Sequence, residues 1–169
     1  MGEQAKIAIG TAGGLVWAVA LLVGAAAFVD LPVFTLMPTI MTAFLAPGLV
    51  MAAMIGRAAA RRFFDPSLIE GAMPLPGSAA ATDQRVLANT VEQLMLALCV
   101  WPAAAVILGA NGPGAIMTLG VGFALARLVF WWGCHASGPV RAFGFAATFL
   151  PTVLVAVWAL WALVSGSGS

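Results

Sequence analysis

Charged side chains are scarce in this sequence. Only 8% of its 169 residues are charged, whereas 63% are hydrophobic and the mean hydropathy is +1.07. A soluble domain usually carries about a quarter charged residues. This shortage excludes a water-soluble globular fold, because too few polar groups are available to cover its surface, and it favours lipid as the surrounding medium.

Residues that commonly carry chemistry are also few. The chain has no tyrosine, two cysteines (Cys99 and Cys134) and a single histidine, His135. The cysteines lie in separate apolar stretches and indicate no disulfide framework. His135 lacks partners at metal-ligand spacing, so we expect no metal site, and the net charge of +1 gives no reason to expect nucleic acid as a partner. No serine-hydrolase, phosphate-loop or zinc-protease motif occurs, so any reactive group would come from a bound cosubstrate.

Five long apolar runs are present instead, and each has the length of a membrane span. A helix needs about 20 apolar residues to cross the hydrocarbon core, and backbone amides in lipid must bond within their own segment. We therefore predict an all-α polytopic transmembrane helix bundle with five spans. The runs are Ile7–Val29, Val33–Gly56, Val86–Ala110, Gly114–Gly133 and Ala142–Val164.

Turn signals separate the runs. The segment 30–32 (Asp-Leu-Pro) divides the first two, 111–114 (Asn-Gly-Pro-Gly) reads as a tight turn, and 136–139 (Ala-Ser-Gly-Pro) precedes the last span with Pro139 near its first helical position. The one long connection is expected over Arg57–Gln84. The first run is about twice as long as the apolar region of a signal peptide, so we expect it to be retained as a helix.

The basic residues predict the orientation. Threading five spans alternately places almost all of them on one side of the membrane, and Asp30 on the other side has no basic neighbour. By the positive-inside rule the basic side is cytoplasmic, with the N-terminus inside and the C-terminus outside, as in a bacterial inner membrane. The residues on the basic side are Lys6, Arg57, Arg61, Arg62, Arg85 and Arg141.

Polar residues within the spans need a reason, because a charge at membrane depth costs about 2.5–3.5 kcal/mol. Arg85, Asn89 and Glu92 recur at i, i+4 and i+7, which places them on one face of the third span. Arg127 in the fourth span is the expected counter-ion of Glu92. Arg141 opens the fifth span, where the helix dipole favours anions. Two interpretations stay open: a structural ion pair with interhelical hydrogen bonds, or a cytoplasm-facing pocket for an anionic ligand.

Two segments resemble the MAPEG family, the membrane-associated proteins in eicosanoid and glutathione metabolism. The first is 85–92, RVLANTVE, which has the family's RxxxNxxE form, and the second is 126–135, ARLVFWWGCH, followed by Arg141. The resemblance covers roughly Val33–Val164. It implies homotrimers of four-helix bundles, so residues 1–32 would form an extra N-terminal transmembrane helix, 33–164 the four-helix membrane domain, and 165–169 a tail.

The resemblance also implies a cosubstrate, glutathione, held between subunits near the cytoplasmic side. By similarity, Arg85, Asn89 and Glu92 would bind its charged ends. Arg127 would support them, and Arg141 would activate the thiol.

Three further site residues follow from the same resemblance. Arg57 would close the edge of the pocket, although Arg57 with Arg61 and Arg62 more readily indicates topology and contacts to lipid headgroups. Phe130 and Cys134 stand where family enzymes often place ligand-binding tyrosines. Phe130 keeps the ring without the hydroxyl, and Cys134 is smaller and only a weak donor.

The leading hypothesis is a membrane glutathione transferase or peroxidase-like protein. It would activate the glutathione thiol for attack on hydrophobic small molecules that enter from the bilayer. The absence of tyrosine favours an alternative, a non-catalytic protein with the same fold that binds lipid or acts as a scaffold. A third possibility is a small transporter that uses Glu92 as its protonatable group.

Overall fold

The computed structural model describes residues 2–65 and 73–166, and the ordered elements it contains are helices. Within these residues, five helical segments are long and apolar enough to span a membrane, with α2 and α3 together forming the second. The predicted all-α fold with five spans is confirmed, and the chain is a multi-pass integral membrane protein. The helices are α1 (Glu3–Phe28), α2 (Leu36–Ala43), α3 (Leu45–Phe64), α4 (Ala79–Ile107), α5 (Gly112–Ala136) and α6 (Gly138–Ser165).

The second span is interrupted between α2 and α3 at Phe44. Pro47 explains the interruption, because a proline lacks the N–H that would bond the carbonyl four residues earlier, which is that of Ala43. This carbonyl faces α5, where a Cβ atom on Gly120 would lie 2.1 Å from it. The bend therefore brings the backbone of α2 into direct contact with α5.

Helix ends differ from the predicted span ends at several places. α3 continues to Phe64, so Arg57, Arg61 and Arg62 are helical and the connection between α3 and α4 runs over 65–78 instead of Arg57–Gln84. Alanine and arginine favour helix, and the basic side chains at the end of α3 complement its dipole. Residues 66–72 of this connection lie outside the described residues.

The predicted tight turn at 111–114 is also wrong in part. A short 3₁₀ helix over Gly109–Asn111 makes the turn, and Gly112 already begins α5 with Pro113 in its first turn. The other two predicted breaks are present. α1 ends at Phe28, and Ser137 alone separates α5 from α6, with Pro139 in the first turn of α6. In the predicted tail, Ser165 still belongs to α6 and residues 167–169 lie outside the described part.

α1 packs along α6 in the same direction and also contacts α5. Its buried residues are small and fall on one face: Gly10, Gly14, Ala18 and Ala25. A Cβ atom on Gly10 would lie 2.3 Å from the Pro139 carbonyl oxygen. Small residues let membrane helices approach closely, and α1 is therefore an integral layer of the bundle.

α5 and α6 cross at close range on the basic side. A Cβ atom on Gly133 would lie 2.4 Å from the backbone nitrogen of Arg141, and one on Gly144 would lie 2.5 Å from Cα of Phe130. No side chain can stand between the two backbones at these points. This crossing brings polar residues of α5 and α6 to the same depth.

Candidate functional site

Arg127 is the most deeply buried charge described in the chain. Its side chain is fully buried within the helix bundle. One terminal nitrogen donates to the Asn89 side-chain oxygen at 2.9 Å, and the other donates to the hydroxyl of Thr148 and, at 3.5 Å, to the carbonyl of Gly144. The guanidinium group thereby joins α4, α5 and α6.

The remaining surroundings of Arg127 are aromatic and leave its charge uncompensated. Its guanidinium carbon lies 4.4 Å from the ring centre of Phe130 and 5.7 Å from that of Phe123. The Nε atom has no hydrogen-bond partner, and no carboxylate among the described residues bonds to the group. A buried charge normally has a paired anion, and the described carboxylates supply none to Arg127.

Glu92 is not the direct counter-ion that the sequence suggested for Arg127. Its carboxylate accepts a hydrogen bond from the Asn89 side-chain nitrogen at 3.3 Å, while the Asn89 oxygen faces Arg127. Asn89 thus stands between the two charges and bonds to both. Glu92 itself is exposed on α4.

Three arginines, one each on α4, α5 and α6, influence Cys134 electrostatically. The half-buried thiol lies within electrostatic range of the guanidinium groups of Arg141, Arg127 and Arg85. Arg85 and Arg141 are exposed, and Arg85 bonds to the hydroxyl of Thr82 at 3.3 Å. Three of the four arginines that the resemblance assigns to the site therefore lie near one thiol. We call this set, Arg85, Arg127 and Arg141, the arginine cluster.

Arg57 lies in a second polar cluster built around a residue that sequence reasoning missed. The Asp83 carboxylate is almost fully buried and accepts hydrogen bonds from Nε of Arg57 at 2.8 Å and Nε of Arg61 at 2.7 Å. No contact in the structure supports the expected role of Arg57 at the pocket edge, because its guanidinium is bonded to Asp83. Arg62 is exposed.

The other oxygen of Asp83 contacts α5. It accepts from the indole nitrogen of Trp131 at 3.0 Å and lies 2.7 Å from Nε2 of His135. Arg57 also lies over the Trp131 ring, 5.5 Å from its centre. Asp83, Trp131 and His135 were overlooked because their contacts join separate helices. The available signal was the i, i+4 spacing of Arg57 and Arg61, which places two cations on one helix face opposite a carboxylate.

A cavity of about 300 Å³ lies beside Arg141. α6 and α1 provide most of its walls, and Phe130 provides the contact with the arginine cluster. Most of the lining is apolar, and Arg141 is its one charged residue. The lining residues are Ile7, Thr11, Phe130, Gly138, Arg141, Ala142 and Phe145.

The model of one known family matches most of the chain. The model of the MAPEG family matches residues 35–161, which include α2 to α6 up to the last turn and leave α1 outside. The chain belongs to the MAPEG family. No curated protein and no solved structure matches it significantly.

Membership in the MAPEG family defines the class of protein but not its reaction. The family includes glutathione transferases as well as non-catalytic members. In residues 2–65 and 73–166, no group of three His, Cys, Asp or Glu side chains could hold a metal ion.

Proposed function

We propose that this MAPEG protein is an integral membrane glutathione transferase or glutathione-dependent peroxidase that acts on hydrophobic electrophiles. The observation that carries the proposal is the fully buried Arg127, which has no carboxylate partner in the described chain. The exposed Arg85 and Arg141 lie, like Arg127, within electrostatic range of Cys134. A protein that buries such a charge within a membrane is stabilised when it binds an anionic ligand.

The residues present fit glutathione in charge and in hydrogen-bonding capacity. Glutathione has two carboxylates, one ammonium group and a thiol. The arginine cluster offers donors for the carboxylates, and the exposed carboxylate of Glu92 offers an acceptor for the ammonium group. Asn89, which bonds to both Arg127 and Glu92, would hold these two recognition groups at a fixed separation.

When bound, glutathione would supply a thiol as the nucleophile. Arg141 lies in the first turn of α6, where its N–H bonds to the Ser137 carbonyl at 3.1 Å. A guanidinium near a helix N-terminus stabilises a thiolate and so increases the reactive fraction of the thiol. Arg127 is held by α4 and α6 and would position the carboxylate end.

The proposed functional form of the protein is a homotrimer. Arg85 and Glu92 lie on an exposed face of α4, where a neighbouring copy would cover them and remove their charges from lipid. The resemblance to the family favours three copies with glutathione between them. In the same proposal, the basic side of the bundle faces the cytoplasm.

Conjugation of glutathione to chlorodinitrobenzene by the purified protein tests the proposal. We expect Arg141→Ala to lower the rate at least about tenfold, because the thiolate loses its stabilising charge. Arg62→Ala removes the same charge from an exposed position and should leave the rate unchanged. The peroxidase form is measured as glutathione oxidation by cumene hydroperoxide. Rates equal to the uncatalysed reaction in both assays would reject the enzymatic proposal.

A second candidate is a non-catalytic MAPEG protein that binds glutathione or a lipid. Phe130 and Cys134 favour it, because neither offers the hydroxyl donor of a tyrosine next to the thiol. This candidate predicts that glutathione raises the melting temperature of the protein without any turnover. Turnover that Arg141→Ala abolishes would exclude it.

A further inference from the structure

The cavity beside Arg141 has one wall that the MAPEG match does not contain. Ile7 and Thr11 of α1 line it, and the family match begins at residue 35. We propose that α1 and α6 together bind the apolar part of the second substrate, and that Ile7 and Thr11 determine which substrates fit. This inference rests on the proposed function, because it places the reacting thiol at Arg141.

The position of the cavity connects it to the arginine cluster. Phe130 lines the cavity and its ring also lies 4.4 Å from the Arg127 guanidinium. Arg141 lines the same cavity and lies within electrostatic range of Cys134. A molecule in the cavity would thus be next to the group that stabilises the thiolate, and it would reach this group from the apolar side.

The residues that line the cavity favour an amphipathic ligand. Ile7, Ala142 and Phe145 are apolar, and the hydroxyl of Thr11 donates to the Ile7 carbonyl at 3.1 Å, which satisfies it within its own helix. Arg141 provides the charge at one side. A ligand with an apolar body and a polar or electron-poor end at Arg141 matches this distribution.

α1 is fixed at the cavity by close backbone contact. Gly10, between the two lining residues, approaches the Pro139 carbonyl so closely that a Cβ atom would lie 2.3 Å from it. One turn later, a Cβ atom on Gly14 would lie 2.4 Å from that of Ala146. These contacts determine how far the side chains of Ile7 and Thr11 stand from α6. The size of the cavity is therefore set by the pair of helices, and a larger side chain on α1 would fill it.

S-alkyl derivatives of glutathione test this inference without turnover. S-methylglutathione and S-hexylglutathione share the charged part and differ in the chain that would enter the cavity. Each methylene buried strengthens binding about fourfold at most. We expect the hexyl derivative to bind the wild-type protein at least about tenfold more tightly than the methyl derivative, measured by thermal shift in detergent over a range of concentrations.

Two substitutions fill the cavity, and a third is the matched control. Thr11→Trp and Ile7→Trp should reduce the ratio of the two affinities to near one while S-methylglutathione still binds. Ile9→Trp places the same side chain on the same helix turn at a residue that is 59% exposed and does not line the cavity, so the ratio should stay as in the wild type.

The outcomes separate this inference from the proposed function. If S-methylglutathione binds and the preference for the hexyl chain persists in both filled variants, the cavity is not the binding site and the inference fails alone. If neither derivative binds the wild-type protein, the proposed glutathione site fails and the inference fails with it. Loss of the preference in Ile9→Trp as well would also overturn the assignment to Ile7 and Thr11.

Discussion

The Asp83 carboxylate lies 2.7 Å from Nε2 of His135 and ties α4 to α5. The same carboxylate accepts hydrogen bonds from Arg57 and Arg61 on α3. Three helices therefore share one buried anion at the basic end of the bundle. Two members of the arginine cluster, Arg85 and Arg127, lie on α4 and α5, the helices that this carboxylate joins.

We expect Asp83→Asn to destabilise the protein by about 2 kcal/mol. The change removes the charge that accepts from two guanidinium groups, and a charge-assisted hydrogen bond contributes about 1.5–3 kcal/mol. The guanidinium side chains are 46% and 33% exposed, so water replaces part of the lost interaction and the effect stays below that of a fully buried pair. Unfolding in denaturing detergent, followed by tryptophan fluorescence, measures it.

Asp30→Asn is the matched control for this substitution. Asp30 is exposed on the opposite side of the membrane, so removing its charge should change the unfolding midpoint little. Equal losses in the two variants would show that the cluster around Asp83 contributes no specific stability.

Arg127 and Asn89 give a second prediction. Asn89→Asp places a carboxylate beside the buried guanidinium, so an ion pair replaces the bond of 2.9 Å to a neutral amide oxygen. We expect the melting temperature to rise and the affinity for glutathione to fall at least about tenfold, because an internal anion now compensates Arg127 and the hydrogen bond to Glu92 is lost. Thermal shift with and without glutathione measures both effects.

The control for this prediction is Asn111→Asp. Asn111 is exposed in the turn before α5, so the same change of side chain there should alter neither quantity. Glutathione affinity that stays unchanged in Asn89→Asp would contradict the assignment of Arg127 to an anion site.

The sequence predicted those features that depend on local periodicity. Hydropathy identified the spans, and the segment that carries Arg85, Asn89 and Glu92 is helical as predicted. The sequence predicted the helix ends poorly, and the continuation of α3 through Arg57 to Phe64 is an example. Hydropathy reports where the hydrocarbon region ends, whereas a helix can continue through the headgroup region because water and its own backbone satisfy its amides.

The partners of the polar residues could not be predicted from the sequence. A charge in a membrane helix requires a partner, but the requirement does not say which residue of another helix provides it. Glu92 was the nearest acid by depth for Arg127, yet the rotation of α4 brings Asn89 to the contact instead. Asp83 was missed for the same reason, because its contacts depend on how α3, α4 and α5 pack.

The crossing of α5 and α6 gives a third prediction. Gly144→Ala places a Cβ atom 2.5 Å from both Cα and N of Phe130, and backbone atoms cannot move aside as a flexible side chain can. We expect a loss of about 1–3 kcal/mol in the free energy of unfolding. Because the Gly144 carbonyl accepts from Arg127, the variant should also bind glutathione more weakly. Unfolding in denaturing detergent and thermal shift measure the two effects.

Gly48→Ala serves as the control for the crossing. Gly48 lies within α3, and nothing stands within 4 Å of the position that its Cβ atom would take. Alanine is the better helix former, so this variant should be as stable as the wild type or slightly more stable. If Gly48→Ala destabilised the protein as much as Gly144→Ala, the loss would reflect the replacement of any helix glycine and not the α5–α6 contact.

The orientation of the bundle gives a fourth prediction, which concerns the side from which glutathione reaches the site. In a background with Cys99→Ala and Cys134→Ser, we expect Asp30→Cys to react with a membrane-impermeant maleimide in right-side-out vesicles, and Pro76→Cys to react in inside-out vesicles. Both positions are exposed, and they lie at opposite ends of the span formed by α2 and α3. The physical reason is the excess of arginine near Pro76, which the positive-inside rule assigns to the cytoplasm. The opposite labelling pattern would place the arginine cluster outside the cytoplasm, where it would face a different supply of glutathione.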